Sequence, residues 1–233
     1  MDIPTEKRSM DEIQPLLRLL QLASPALPVG AFSYSEGLET LVEQGNFHRP
    51  QLHHWLQQAL EYGAVRVDGA VMVRSHRHSQ AQNLAALAHW NQWLSAMRET
   101  AEIRQQSWQM GRAWVRTLQQ LHPELQTTLE ACGTPCNFAV AYGVTAAHWQ
   151  ISLEAALLGY LQSWATNLIN AAVKLVPLGQ TTGQQVLFNL YPALEHTATA
   201  ILQLKDEDIA TSSWGAGIAS MQHETLYSRL FRS

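Results

Sequence analysis

Apolar residues recur along this chain at spacings of three and four, the period of a helix face packed on a core. The clearest run is Leu153, Leu157, Leu158, Leu161, Trp164, Leu168, Ile169 and Ala172, which predicts a long helix with one wide apolar stripe. A second long helix is predicted from Arg98 to Leu121, where Ile103, Ser107, Met110, Trp114, Thr117 and Leu121 alternate steps of four and three. Gln51 to Tyr62 predicts another, opened by Pro50, and shorter ones follow at Leu84–Leu94, Gln184–Leu190 and Ala193–Leu204. Ala64 to Arg74 carries Val65, Val67, Val71 and Val73 at even spacing, as a strand would. No second strand-like run offers a partner, so this stretch too is assigned to helix.

Turn chemistry separates these elements. Pro25 and Pro28 flank one connection, Gly133-Thr134-Pro135 splits two apolar stretches, and Pro177-Leu178-Gly179 stops the longest helix. Repeats, low-complexity tracts and dividing linkers are absent. The expectation is an all-α, single-domain bundle of roughly eight to ten helices spanning 1–233, its ends (about 1–10 and 224–233) flexible until a partner binds.

Composition narrows the class. The 233 residues are 46% hydrophobic and 15% charged, which excludes intrinsic disorder. A net charge of -4 argues against a nucleic-acid binder, and with no secretory signal read at the N-terminus and only two cysteines a cytoplasmic location is expected. The best membrane candidate, 155–178, is interrupted by Gln162, Asn167, Asn170 and Lys174, so no membrane span is expected.

Catalytic motifs are missing. There is no phosphate-binding G-x-x-x-x-G-K-[ST] loop; Tyr227 stands where a second histidine would complete His223-Glu224 as H-E-x-x-H; and G-x-S-x-G spacing is absent around Ser33 and Ser35. Cys132 and Cys136 have a spacing zinc sites allow but lack a second chelating pair, and the His53-His54 and His76/His78 pairs point apart on a helix. No catalytic residue and no metal site is assigned. The rival class is a helical metalloenzyme or hydrolase whose ligands, such as His196 and His223, converge from distant segments.

Three segments stand out. Ser24 to Glu39 is a turn leading into a helix that Ser35 can cap, with Leu38 and Leu41 inward; a well-made loop explains the prolines but does not require Tyr34, Glu36 and Glu39 together. Lys174, one of three lysines, ends an apolar helix, where it either complements the helix dipole or presents a charge to a partner. At the C-terminus, Leu226, Leu230 and Phe231 fall at helical spacing beside Arg229 and Arg232, an element either docked on its own body or held for a partner. Arg104, Trp108, Arg112 and Arg116 line one face of the second long helix, read as a solvated arginine face.

In these segments the chain resembles the UreF family of urease accessory proteins. The proline-glycine turn into Ser-x-Gly-Leu-Glu is matched by Pro28, Gly30, Phe32, Ser35, Gly37, Leu38 and Glu39, and an Arg-Glu opening a long helix that reaches Gln-x-Gly by Arg98, Glu99, Gln109 and Gly111. Lys with a Pro-Leu-Gly-Gln turn is matched by Lys174, Pro177, Leu178, Gly179 and Gln180, and the His-Glu and terminal Ser-Arg-Leu-Phe by His223, Glu224, Ser228, Arg229, Leu230 and Phe231. The resemblance implies a non-catalytic, homodimeric, cytoplasmic adaptor with no stably bound cofactor. It would bridge the accessory protein UreD (UreH in some organisms) and the GTPase UreG, in an assembly that delivers nickel to apo-urease. On that basis Lys174, Arg229, Glu36, Glu39, Arg98 and Glu99 are candidates for a GTPase-facing surface. The Arg98–Glu99 pair would either join it or stabilise the long helix. Tyr227, Leu230, Phe231 and Arg232 are candidates for docking the other accessory protein, while Pro28, Gly30, Gly37, Pro177 and Gly179 set turns.

Overall fold

The computed structural model describes residues 10–45 and 47–232. Among them are eleven α-helices and no strand: α1 (Met10–Leu22), α2 (Leu38–Glu43), α3 (Arg49–Tyr62), α4 (Ala64–Gln80), α5 (Leu84–Met97), α6 (Ala101–Leu121), α7 (Gln126–Ala131), α8 (Phe138–His148), α9 (Leu153–Leu175), α10 (Gln180–Gln203) and α11 (Trp214–Gln222). Short 3₁₀ turns lie at Ala31–Ser33, Pro123–Leu125, Asp206–Asp208 and His223–Thr225. The all-helical expectation holds, with a count above the eight to ten predicted because the six-residue α2 and α7 are too short to show a period.

Helices α4 and α8 form the centre. Residues 139–146 of α8 are all buried, as expected of a helix apolar on every side. Its small residues let α4 come close: a Cβ on Gly143 would lie 2.5 Å from the Met72 carbonyl oxygen. Around this pair pack α3, α5, α6, α9 and α10. Envelopment explains the even-spaced valines of α4, since Val65, Val67, Val71 and Val73 are all buried although they occupy different sides of the helix.

Two boundaries differ from expectation. Arg98 is extended, and the second long helix begins at Ala101 because Thr100 caps it, accepting from the Ile103 N–H at 3.3 Å. Its buried seam runs through Ser107, Met110, Trp114 and Leu118, leaving Leu121 exposed. The two segments predicted at 184–190 and 193–204 are one helix, α10, continuing through Pro192. That proline lies on the exposed side, where water can satisfy the carbonyl whose partner N–H is missing. The N-terminal expectation for 1–10 falls, but for Met10, outside the described residues.

Buried polar side chains are tied across helices. Asn137 donates through Nδ2 to the Asn91 backbone and side-chain oxygens and to Ser95 Oγ, joining α8 to α5. Ser107 Oγ donates to Asn137 Oδ1 at 3.0 Å and brings in α6. Such a network fixes register because each unmatched member would carry a desolvation penalty.

Candidate functional site

The segment before α2 organises two polar centres. Gly30 and Gly37 sit at φ +74° and +83°, conformations that disfavour any side chain. Gly37 also abuts α11, since a Cβ there would lie 2.8 Å from the Ser220 nitrogen. Ser35 Oγ accepts from the Glu39 N–H at 3.4 Å, helping to start α2 as predicted. With α2 laid against α11, Glu39 reaches the turn that follows α11.

There its carboxylate accepts three hydrogen bonds: from His223 Nε2–H at 2.7 Å, the Leu230 N–H at 2.6 Å and the Phe231 N–H at 3.1 Å. Glu39 is 4% exposed and His223 1%. The last residues continue this attachment, for the Arg232 N–H donates to the Ser33 carbonyl at 2.8 Å and its guanidinium to Gln109 Oε1 at 3.3 Å. Phe231 is buried, and Lys174 Nζ stands 5.8 Å from its ring centre. Of the two alternatives the sequence left open for the C-terminal element, residues 230–232 take the first and lie bonded to their own body. Around it Lys174, Arg229, Tyr227 and Leu230 are exposed, Tyr227 completely.

The second centre lies between helices and reaches the surface beside Pro25. Glu36, at φ +52°, turns its carboxylate toward a cavity of about 70 Å³ between α4, α6 and α9. Its oxygens accept from Gln106 Nε2 and Trp164 Nε1, each at 3.0 Å. On the cavity wall Asp68 pairs with Arg98 at 2.6 Å, and Arg98 donates to Ser107 at 2.9 Å. Burial pushes both carboxyls above their usual range, with Arg98 pulling the other way, and burial drives Tyr160 well up. The Arg98 Nε, Gln106 Oε1 and Tyr142 hydroxyl have no protein partner and line this cavity, which suits ordered water. Ser107, on its wall, donates its hydroxyl proton to the Asn137 amide oxygen and is not set up as a nucleophile.

A third grouping was missed in the sequence. His122 after α6, Glu124 in the 3₁₀ turn and His148 at the end of α8 bring three metal-capable atoms together. The only local signal was His-Pro-Glu at 122–124, with His148 remote in sequence. Two other histidines are committed elsewhere: His76 is buried with Nε2 2.9 Å from the Ile151 carbonyl, and His223 is held by Glu39. His196 lies on α10 beside Arg66 and Thr211, so the rival pairing of His196 with His223 is not among the groupings formed by the described residues. Cys132 and Cys136 are free and buried; their mutual hydrogen bond, then burial, pushes the Cys136 thiol well up.

The predicted site residues thus divide. Lys174 and Arg229 share one surface with Tyr227, Leu230 and Arg232, groups assigned to two different partners from sequence. Glu39 and Phe231 lie beneath that surface rather than on it, because Glu39 is consumed by the tail. Glu36 and Arg98 belong to the cavity between α4, α6 and α9, where Arg98 ties the start of α6 to α4. Glu99 is exposed, accepting from Thr211 Oγ1 at 2.5 Å. Of the turn residues, Gly179 at φ +70° joins α9 to α10 just after Pro177, and Pro28 closes the turn before Gly30.

An all-helical body whose buried charges hold its own segments, with exposed cations and apolar side chains gathered round a docked terminus, is built like a binding protein rather than an enzyme. Comparison with known proteins agrees. The UreF family matches residues 48–191. A urease accessory protein UreF from Nostoc sp. is 55% identical over 218 residues, covering 93% of this chain and 95% of the relative. Those from Microcystis aeruginosa and Hahella chejuensis are 52% and 40% identical, covering 94% of this chain and 97% and 98% of theirs. The chain belongs to the UreF family of urease accessory proteins, which are not enzymes.

Proposed function

We propose that this chain is a single-domain adaptor in urease maturation, joining a UreD/UreH-type accessory protein to a UreG-type GTPase and modulating GTP-dependent delivery of nickel to apo-urease. It works in the cytoplasm as a homodimer and binds no cofactor stably, nickel being cargo of the assembly. Among the described residues no helix is long and apolar enough to cross a membrane.

The observation that carries this reading is the surface round the tail. Lys174 and Arg229 are exposed next to exposed Tyr227 and Leu230, and Phe32, 66% exposed, stands on the turn to which Arg232 is bonded. Aromatic and arginine anchors rimmed by charge are the composition of protein interfaces. Because Glu39 fixes the backbone underneath, these side chains are presented with little left to order on binding.

The test is co-expression with the two other accessory proteins and urease. Lys174→Ala with Arg229→Ala is expected to lose GTPase co-purification and urease activation, while deletion of Leu230 to Ser233 releases the UreD/UreH-type protein. If all of these variants assemble and activate urease like the parent, the surface is assigned wrongly.

A further inference from the structure

We infer that His122, Glu124 and His148 form a binding site for a divalent first-row transition ion, independent of the partner surface proposed above. His122 Nδ1 and His148 Nε2 each lie 3.0 Å from Glu124 Oε1 and 3.3 Å from one another. Ions of this class bind imidazole and carboxylate at about 2.0–2.1 Å, so neighbouring ligand atoms stand roughly 2.9 Å apart in octahedral and roughly 3.4 Å apart in tetrahedral coordination. The three separations fall within that interval. Two imidazoles with one carboxylate suit zinc, nickel or copper and not calcium or magnesium, which prefer oxygen throughout.

The setting favours exchangeable binding. The side chains are 26% (His122), 57% (Glu124) and 28% (His148) exposed, and His148 and Glu124 border an open groove beside Ser79 and Gln80. Three protein ligands with an open side leave positions for water or an incoming ligand. The three ligand atoms are also gathered without metal, because both rings are hydrogen-bonded to one carboxylate oxygen and are 4.9 Å apart between centres.

Trp149 tunes the site. Its indole N–H donates to His122 Nε2 at 2.9 Å, so in the metal-free protein the His122 proton sits on Nδ1 and points at Glu124. Ligation through Nδ1 uses that nitrogen's lone pair and moves the proton to Nε2, where it faces the indole N–H. The ion must therefore displace the Trp149 hydrogen bond, which lowers affinity and couples binding to the tryptophan's environment. His148 makes the same exchange, its proton passing from Nε2 to Nδ1.

The experiment is calorimetric titration of the full chain with Ni²⁺ and with Zn²⁺, alongside tryptophan fluorescence. One ion per chain is expected, with a fluorescence change at the same stoichiometry. His148→Ala and Glu124→Gln should each weaken binding at least tenfold while leaving the melting temperature of the metal-free protein unchanged. Trp149→Phe should tighten binding, since Nε2 is then free to carry the proton. Stoichiometric binding that survives His148→Ala and Glu124→Gln undiminished, as other surface histidines would give, overturns the site. Trp149→Phe leaving affinity unchanged or weaker overturns the tautomer coupling.

Discussion

Replacing Glu39 by glutamine tests whether one carboxylate holds the C-terminus. The amide offers a single acceptor oxygen in place of two. In its better orientation that oxygen keeps the His223 and Phe231 donors, and the amide NH₂ then faces the Leu230 N–H, donor against donor. Setting two donors against each other at this half-buried bond costs about 1–3 kcal/mol. Turning two charge-assisted bonds into neutral ones costs about 1 kcal/mol more. The sum, roughly 2–4 kcal/mol, falls on a terminal segment and not on the α4–α8 centre, so it should appear as local opening. At about 1.4 kcal/mol per factor of ten, the amides of Leu230 and Phe231 should exchange with solvent about 30- to 1000-fold faster in Glu39→Gln, and trypsin should cut after Arg229 correspondingly sooner. Hydrogen exchange followed by mass spectrometry of peptides covering 226–232 measures this directly. Unchanged exchange at 230 and 231 would refute the reasoning, as would equal acceleration throughout α4 and α8.

Two further outcomes probe the core. Gly143→Ala places a methyl 2.5 Å from the Met72 carbonyl oxygen and 3.1 Å from the His76 nitrogen, backbone atoms that cannot step aside, and should cost about 2–3 kcal/mol, or about 5–10 °C in thermal melting; Gly215→Ala, with open space around it, is the neutral control. His76 is held below its ordinary value of 6.5 by burial, so its contribution to stability is complete above that pH and declines as pH falls from 6.5 toward its folded value. Denaturant melts of His76→Gln, which keeps a donor for the Ile151 carbonyl but cannot charge, should show a shallower loss than the parent as pH falls below 6.5.

What the sequence revealed and what it concealed follow from how far apart the interacting residues lie. Helical periodicity exposed α9 and most of α6, because a stripe such as Leu157, Leu161 and Leu168 reports one-sided burial within a single element. It read α4 less plainly, since a helix enclosed on several sides has no stripe. The gap between the segments predicted at 184–190 and 193–204 contains Pro192, which solvent exposure makes tolerable inside one helix. The residues round the tail were all singled out, yet their division between surface and interior was not. Glu39 and His223 are separated by 184 positions and Arg98 and Asp68 by a tertiary contact, so an acidic side chain that buries itself on a remote donor looks, in sequence, like one offered to solvent. The His122–Glu124–His148 grouping stayed hidden for the same reason.

Residues 34–39 connect these centres within six positions. The Tyr34 hydroxyl donates to Gln109 Oε1, which also receives the Arg232 guanidinium; Glu36 accepts from Gln106 and Trp164 in the cavity; and Glu39 holds His223 and the tail. Glu36 at φ +52° sits in a region few non-glycine residues occupy, and Gly37 lies tight against α11 at Ser220, so Glu36 and Glu39 are held on either side of one packed turn. The surface presented by the tail is consequently not an independent appendage. Glu36 shares its cavity wall with the buried Asp68–Arg98 pair, whose two charges act on it in opposite directions, and a charge pair that adds little to net stability can still favour one geometry for the 34–39 segment beneath the tail.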